Sequence, residues 1–269
     1  MPYRIVFTDI DGTLLNVDRE LSDFTIREIL RIKSQIPVVL ISSRMPSGML
    51  HLQKQLGIEN QPLICYNGGL VLHNNNILHS TTIPIEDVHK ITQQATSINL
   101  HLSLYHANEW YVPNNDFWAQ REAANTKVTP VVQNLRTTVD TWKREHKGAH
   151  KIMCMGDEES VDTMFEYLQQ NFENKLHLYR SKTTYIEIAS KSISKKTAIQ
   201  NILSSHYKID ISDALAFGDN YNDIEMIEAV GTGVAVANAK KETLQAAQHI
   251  TLPAKEDGVA QFIKDHILL

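Results

Sequence analysis

The chain has 269 residues, enough for one large or two medium domains of roughly 100 to 200 residues each. With 42% hydrophobic and 21% charged residues it can bury a core, and a formal charge of -5 argues against nucleic acid or an anionic membrane surface as a partner. No apolar run approaches the roughly 18 residues of a membrane span and the first residues lack the apolar region of a signal peptide, so a cytoplasmic location is expected.

Ile5, Val6 and Phe7 form an apolar run too short for a stable helix, and it ends in Asp9 and Asp11. This predicts a buried strand that delivers two carboxylates to a loop. Carboxylates one residue apart repel each other, and Gly12 lets the backbone turn sharply after them; the arrangement makes sense if a cation sits between them or one carries a proton. A calcium loop also fits the spacing of Asp9, Asp11, Thr13 and Glu20, but Leu14 stands where that loop needs a glycine, and a strand precedes Asp9 where a helix is required. Ser22 predicts an N-cap for a helix over about residues 23 to 34, and Pro37 to Ile41 predict a second buried strand ending in Ser42-Ser43-Arg44. A helix over 46–56 closes at Gly57, and a third strand, Leu63 to Tyr66, runs into Asn67-Gly68-Gly69. Asn74-Asn75-Asn76 then reads as a hairpin turn.

From Pro84 to Thr183 amphipathic helices alternate with two-faced strands, so 84–183 is predicted as an inserted α/β domain between two halves, 1–83 and 184–269, of a doubly wound parallel-sheet core. Its clearest element is a helix over 158–172, where Val161, Met164, Phe165, Leu168 and Phe172 share a face and Asp157 caps the start. Segments 100–106, 150–155 and 176–180 read as strands. After Tyr185 to Ile188 the first pattern returns, with Lys195 opening a helix, Ala214 to Phe217 running into Gly218-Asp-Asn-Tyr-Asn-Asp223, and Gly233 to Val236 running into Asn238. Ligands of open α/β sheets bind outside the carboxyl ends of the strands, so these polar tips are expected to converge on one sheet edge. Cys65 and Cys154 each sit in an apolar run and read as packed thiols, and the 12 histidines show no zinc spacing.

Asp9-Ile-Asp-Gly-Thr13 resembles motif I, and Gly218 to Asp223 motif IV, of the haloacid dehalogenase-like phosphohydrolases. With Ser42-Ser43-Arg44, Asn67-Gly68 and Ser194-Lys195-Lys196 between them, the resemblance is closest to the Cof-type branch with a large αβ cap. It implies a Rossmann-like core, with Asp9 attacking phosphorus and Asp11 acting as acid and base. By the same resemblance Asp9 and Asp219 would bind magnesium through carboxylates and Asp11 through its backbone carbonyl; Ser42, Ser43, Lys195 and Asn222 would hold phosphate, and Asp223 would support the metal. Two departures stand out: Ser42-Ser43 replaces the usual Thr-Gly, which keeps a hydroxyl and an amide, and Lys196 replaces a Gly, with its side chain expected in solvent.

The chemistry is consistent with those roles. A carboxylate nucleophile and a phosphate dianion repel, so a divalent cation is needed, and Mg2+ suits a set of hard oxygen donors without Cys or His clusters. Ser42 and the Ser43 amide can hydrogen-bond phosphate oxygens while Lys195 balances the remaining charge. The expected activity is magnesium-dependent hydrolysis of small phosphorylated metabolites such as sugar phosphates, through an aspartyl-phosphate. A phosphomutase would use the same site. A phosphoacceptor switch would need neither Asp11 nor an insertion of this size. The inserted domain is expected to supply specificity, moving on hinges near 82–84 and 183–185, and its Trp110, Tyr111 and Trp118 are expected in its core before any leaving-group pocket. The sequence names neither the substrate nor the oligomeric state.

Overall fold

The computed structural model describes residues 3–74 and 76–268, so Asn75, at the centre of the expected hairpin turn, lies outside the described residues. The chain opens with β1 (Ile5–Thr8), α1 (Asp23–Ile32), β2 (Val38–Ile41), α2 (Leu50–Leu56), β3 (Leu63–Cys65), β4 (Leu70–His73) and β5 (Asn76–Ser80). It continues through α3 (Ile85–Ser97), β6 (His101–His106), β7 (Glu109–Val112), α4 (Phe117–Thr126), β8 (Val131–Val132), α5 (Leu135–Arg144), β9 (Lys151–Met155), α6 (Glu158–Phe172), β10 (Leu176–Lys182) and β11 (Tyr185–Ser190). It closes with α7 (Lys195–Ile202), β12 (Ala214–Gly218), α8 (Ile224–Ala229), β13 (Thr232–Val236), α9 (Lys241–Ala246), β14 (His249–Thr251) and α10 (Gly258–His266). Two compact units result. One holds the chain up to Arg44, Met49–Leu78 and everything from Ser194 onward; the other holds Met45–Gly48 and His79–Ile193.

The first unit is built on an eight-stranded sheet in the order β14-β13-β12-β1-β2-β3-β4-β5, parallel from β14 to β3, with β4 antiparallel to β3. Every residue of β1, β2, β3 and β12 is buried, which is why these strands read as continuous apolar runs: helices cover both faces of a parallel sheet. Ala198, Ile199 and Ile202 of α7 and Met226 and Ile227 of α8 share a core with Ile5, Phe7, Val39 and Ala216. The local signals act as expected. Ser22 Oγ accepts the Thr25 amide at 3.0 Å to start α1, and Gly57 closes α2 at φ 61°. The helix expected over 46–56 is shorter, because Pro46–Gly48 form a separate 3-10 turn that belongs to the second unit, where the Ser47 amide donates to Asn108 Oδ1 at 2.9 Å.

The second unit is built on a six-stranded sheet in the order β10-β11-β9-β6-β7-β8, antiparallel except for β7 with β8. Leu102, Leu104, Ile152, Cys154, Ile186 and Ile188 form one face and pack with Val88, Ile91, Trp142, Val161, Met164 and Leu168 from α3, α5 and α6. The intervening residues His101, Ser103, Tyr105, Lys151 and Met153 lie on the opposite face, as the two-residue period of a strand requires. Trp110 stacks on Tyr105 at 5.4 Å, Tyr111 meets Trp142 edge to face on the helix side, and Trp118 is half-buried on α4.

The unit boundaries differ from those expected at 83/84 and 183/184: they fall after Leu78 and after Ile193. The second displacement has a clear cause. β11 pairs antiparallel with both β9 and β10, and its alternation of buried Ile186 and Ile188 with half-buried Tyr185 and Glu187 is that of a strand with one apolar face, not of a strand covered on both.

Candidate active site

β1 lies at the centre of its sheet, with β2 on one side and β12 on the other, so the strand order reverses beside it. The carboxyl end of β1 is therefore the topological switch point, where open α/β sheets bind ligands. Asp9 follows β1 directly, and its amide donates to the Phe217 carbonyl at 3.0 Å, which extends the β1–β12 ladder and fixes the residue. Ser42 follows β2, Asn67 stands just beyond β3 and Asp219 follows β12. The strand β1 before Asp9 rules out the helix that a calcium loop of the EF-hand kind requires.

Lys195 is fully buried, and its Nζ donates to Asp9 Oδ1 and to Asp223 Oδ1, both at 2.6 Å. It occupies the first position of α7, where the helix dipole disfavours a cation, so the two carboxylates outweigh a local penalty. A capping box sets the helix start: Ser194 Oγ accepts the Thr197 amide and Thr197 Oγ1 accepts the Ser194 amide. Gly68, at φ 103°, lets the loop after β3 approach this start closely, since a Cβ there would lie 2.8 Å from Ala198 Cβ and 2.9 Å from the Ser194 carbonyl oxygen. Lys196 is half-buried on the same turn.

Asp9, Asp219 and Asp223 each offer a carboxylate oxygen within 4.8 Å of the others. One ammonium cannot neutralise three carboxylates in a buried place. Burial lifts the Asp9 carboxyl well above its ordinary range, Lys195 opposing and Asp223 and Asp219 adding to the shift; burial and the repulsion of Asp223 push Asp219 up to about 7. Burial disfavours charge on Lys195 as well, but Asp223 and Asp9 outweigh it and hold the ammonium above its usual range. Hard oxygen donors with surplus negative charge fit a magnesium ion. Asp223 already serves Lys195 through Oδ1 and the amides of Asp219 and Asn220 through Oδ2, at 2.9 and 3.0 Å, whereas Asp9 Oδ2 and Asp219 Oδ2 accept no hydrogen bond among the described residues. Those two oxygens are the ones left open to a metal ion, and Asp223 orders the loop that carries Asp219. Thr13 adds a hydrogen bond to Asp219 Oδ1 at 3.1 Å.

Asp11 points to a different partner. Arg44 donates from Nε to Oδ2 and from Nη2 to Oδ1, both at 2.6 Å, and Arg19 donates to Oδ1 at 3.0 Å. The repulsion between the neighbouring aspartates, for which the sequence asks a cation between them or a proton on one, is also met by separate side-chain cations, Lys195 for Asp9 and Arg44 for Asp11. Ser42 is buried, and its Oγ accepts the Arg44 amide at 3.2 Å, which leaves the hydroxyl proton to be donated to a ligand; Ser43 is half-buried beside it. Asn222 gives one amide proton to Asn67 Oδ1 at 3.0 Å and keeps a second. Arg44, Arg19, Thr13 and Asn67 were not identified as functional from sequence. For Arg44 a signal existed: the run Ser42-Ser43-Arg44 at a strand tip, opposite a pair of aspartates in need of charge.

A family model described as haloacid dehalogenase-like hydrolase matches residues 6–263. A Haemophilus influenzae protein is 33% identical over 98% of both chains, and the 5-amino-6-(5-phospho-D-ribitylamino)uracil phosphatase of Bacillus subtilis is 30% identical, with 100% of this chain and 98% of the relative covered. The crystal structure of a haloacid dehalogenase-like hydrolase from Bacteroides thetaiotaomicron superposes with a TM-score of 0.89 at 27% identity, over 98% of this chain and 99% of that one. The chain belongs to the haloacid dehalogenase-like hydrolases, in their Cof-type phosphatase branch.

Proposed function

We propose that the protein is a magnesium-dependent phosphomonoesterase that hydrolyses small phosphorylated metabolites through an aspartyl-phosphate on Asp9. The observation that carries this reading is the division of labour at the switch point. Asp9 stands in a buried cluster with Lys195 and Asp219, while Asp11, two residues on, is held apart by Arg44.

In the first displacement an Asp9 oxygen bonds to phosphorus as the bond to the leaving oxygen breaks, and Asp11 gives that oxygen its proton. In the second, water bonds to phosphorus, the bond to Asp9 breaks, and Asp11 takes the proton that water loses, so the enzyme returns to its starting state. Ser42, the Ser43 amide, Lys195 and the second amide proton of Asn222 hold the phosphoryl oxygens. Asp9 and Asp219, with the Asp11 carbonyl, would hold magnesium, which when bound would supply the positive charge that lets a carboxylate approach a phosphate dianion. The inserted unit selects the leaving group, and the named activity of the Bacillus subtilis relative supports a soluble phosphorylated metabolite as the substrate class. No helix among the described residues is long and apolar enough to cross a membrane, and we place the reaction in the cytoplasm.

A phosphate-release screen over sugar phosphates, nucleotides and phosphorylated heterocycles, with magnesium and with excess EDTA, tests the reading. Release that needs magnesium supports it. Full activity in EDTA removes Asp219 from its role, and an isomerised phosphate ester in place of free phosphate makes the protein a mutase.

A further inference from the structure

Asp11 is held more firmly than a carboxylate with 36% of its side chain exposed requires. Its anchor, Arg44, is only 5% exposed, and the backbone of Arg44 is pinned on both sides: its amide donates to Ser42 Oγ at 3.2 Å and its carbonyl accepts the Tyr66 amide at 3.1 Å. Tyr66 and Asn67 adopt left-handed backbone angles, φ 53° and 56°, to reach Arg44 and Ser42, and a bulky residue does so only where the surroundings enforce it. Burying a guanidinium is costly unless it is paired. This part of the fold is therefore built to present one planar, bidentate donor to Asp11.

The two oxygens of Asp11 are not equivalent. A carboxylate oxygen has two acceptor sites. Oδ1 uses both, on Nη2 of Arg44 and Nη1 of Arg19; Oδ2 uses one, on Nε of Arg44. We propose that Arg44 is the positioning residue of Asp11: its fork fixes the carboxylate plane and, with Arg19, leaves Oδ2 as the oxygen that gives and takes the proton. The inference rests on the two-step reaction proposed above. When the leaving oxygen departs from phosphorus it takes the proton from Oδ2, and Asp11 is left as a carboxylate held by the fork. In the second displacement the attacking water passes its proton to Oδ2 while the bond between phosphorus and Asp9 breaks. With a leaving group that needs little protonation, the placement of Oδ2 is felt in this second displacement and hardly in the first.

Arg44→Lys keeps the charge but cannot span both oxygens, and p-nitrophenyl phosphate has a leaving group that needs little protonation. With magnesium present, the wild type is measured first: no turnover of any phosphate ester refutes the proposed function itself, independently of Arg44. Given an active wild type, Arg44→Lys is expected to lower steady-state turnover on the order of 10²-fold, the usual effect of a misplaced catalytic group. It should also show an initial burst of one nitrophenolate per enzyme, gain one phosphoryl group in mass and have a KM no higher than that of the wild type. A raised KM with unchanged kcat would make Arg44 a substrate-binding residue, and a lowered kcat without phosphoenzyme would detach it from the second displacement; either overturns the proposal. Arg19→Ala, at a half-exposed side chain, carries the test if Arg44→Lys does not fold. A smaller burst in the same direction supports the inference, and wild-type kinetics refute it.

Discussion

Lys195→Met removes the ammonium from the site and keeps most of the buried stem. Nζ makes two charge-assisted hydrogen bonds at 2.6 Å, to Asp9 and Asp223, each worth about 1.5–3 kcal/mol. Without it these carboxylates, both under 10% exposed, remain facing each other and Asp219 within 4.8 Å. Removing one partner of a buried ion pair costs about 3–5 kcal/mol, a figure that agrees with the sum of the two hydrogen bonds. The first unit should therefore lose about that much stability in metal-free buffer, beyond the loss of turnover expected of a missing phosphate-holding cation. Urea denaturation followed by far-UV circular dichroism measures it. The three tryptophans, Trp110, Trp118 and Trp142, all lie in the second unit, so their fluorescence follows that unit separately. Magnesium should restore part of the loss by supplying the missing positive charge. A loss under about 1 kcal/mol would show that Lys195 is not the charge partner on which this cluster depends.

Two further perturbations probe each unit. Gly12 sits at φ 85° with its missing Cβ 2.4 Å from Asp219 Oδ2, so Gly12→Ala should displace the oxygen proposed to take the metal; magnesium affinity from calorimetric titration should fall about tenfold or more, and unchanged affinity would contradict the assignment of Asp219. In the second unit His150 accepts the Ala107 amide at Nδ1 and bonds Ser80 Oγ through Nε2, and burial, with His106 nearby, pushes it down to about 3 from an ordinary 6.5. The unfolded chain therefore takes up the proton first as pH falls. The contribution of His150 is complete above about pH 6.5 and declines by up to about 1.4 kcal/mol per pH unit toward pH 3. His150→Gln should flatten the acid limb of the tryptophan-monitored stability curve, and an unaltered slope would refute the assignment.

The parts of the fold that announce themselves in sequence are those with local causes. β1, β2, β3 and β12 are buried on both faces and so are apolar throughout; α1 and α6 begin at Ser22 and Asp157, whose side chains accept amides of the first turn. The site was legible for a related reason, since polar residues at the tips of parallel strands must gather on one sheet edge, and Asp9 and Lys195 meet although 186 residues separate them. Two features escaped. The unit to which β11 belongs depends on its partners β9 and β10, which four residues of alternating pattern do not name. The pairing of Asp11 with Arg44, 33 residues away, is a long-range ion pair with no periodicity to betray it. Charge reasoning asked for a cation between the aspartates or a proton on one, and did not foresee that the fold also gives each a side-chain cation of its own.

The central claim is that Asp9 carries the phosphoryl group and Asp11 handles the proton, and one experiment reads both. Asp11→Asn is mixed with p-nitrophenyl phosphate and magnesium, quenched in acid, and its intact and peptide masses are recorded. The expected result is a rapid burst of nitrophenolate, slow turnover afterwards, and one added phosphoryl group on the peptide that contains Asp9, because water now lacks its base. An alkyl phosphate should give no burst, since its poor leaving group needs the missing acid. Wild-type kinetics on both substrates, or a phosphoryl group found on any residue other than Asp9, would contradict the account.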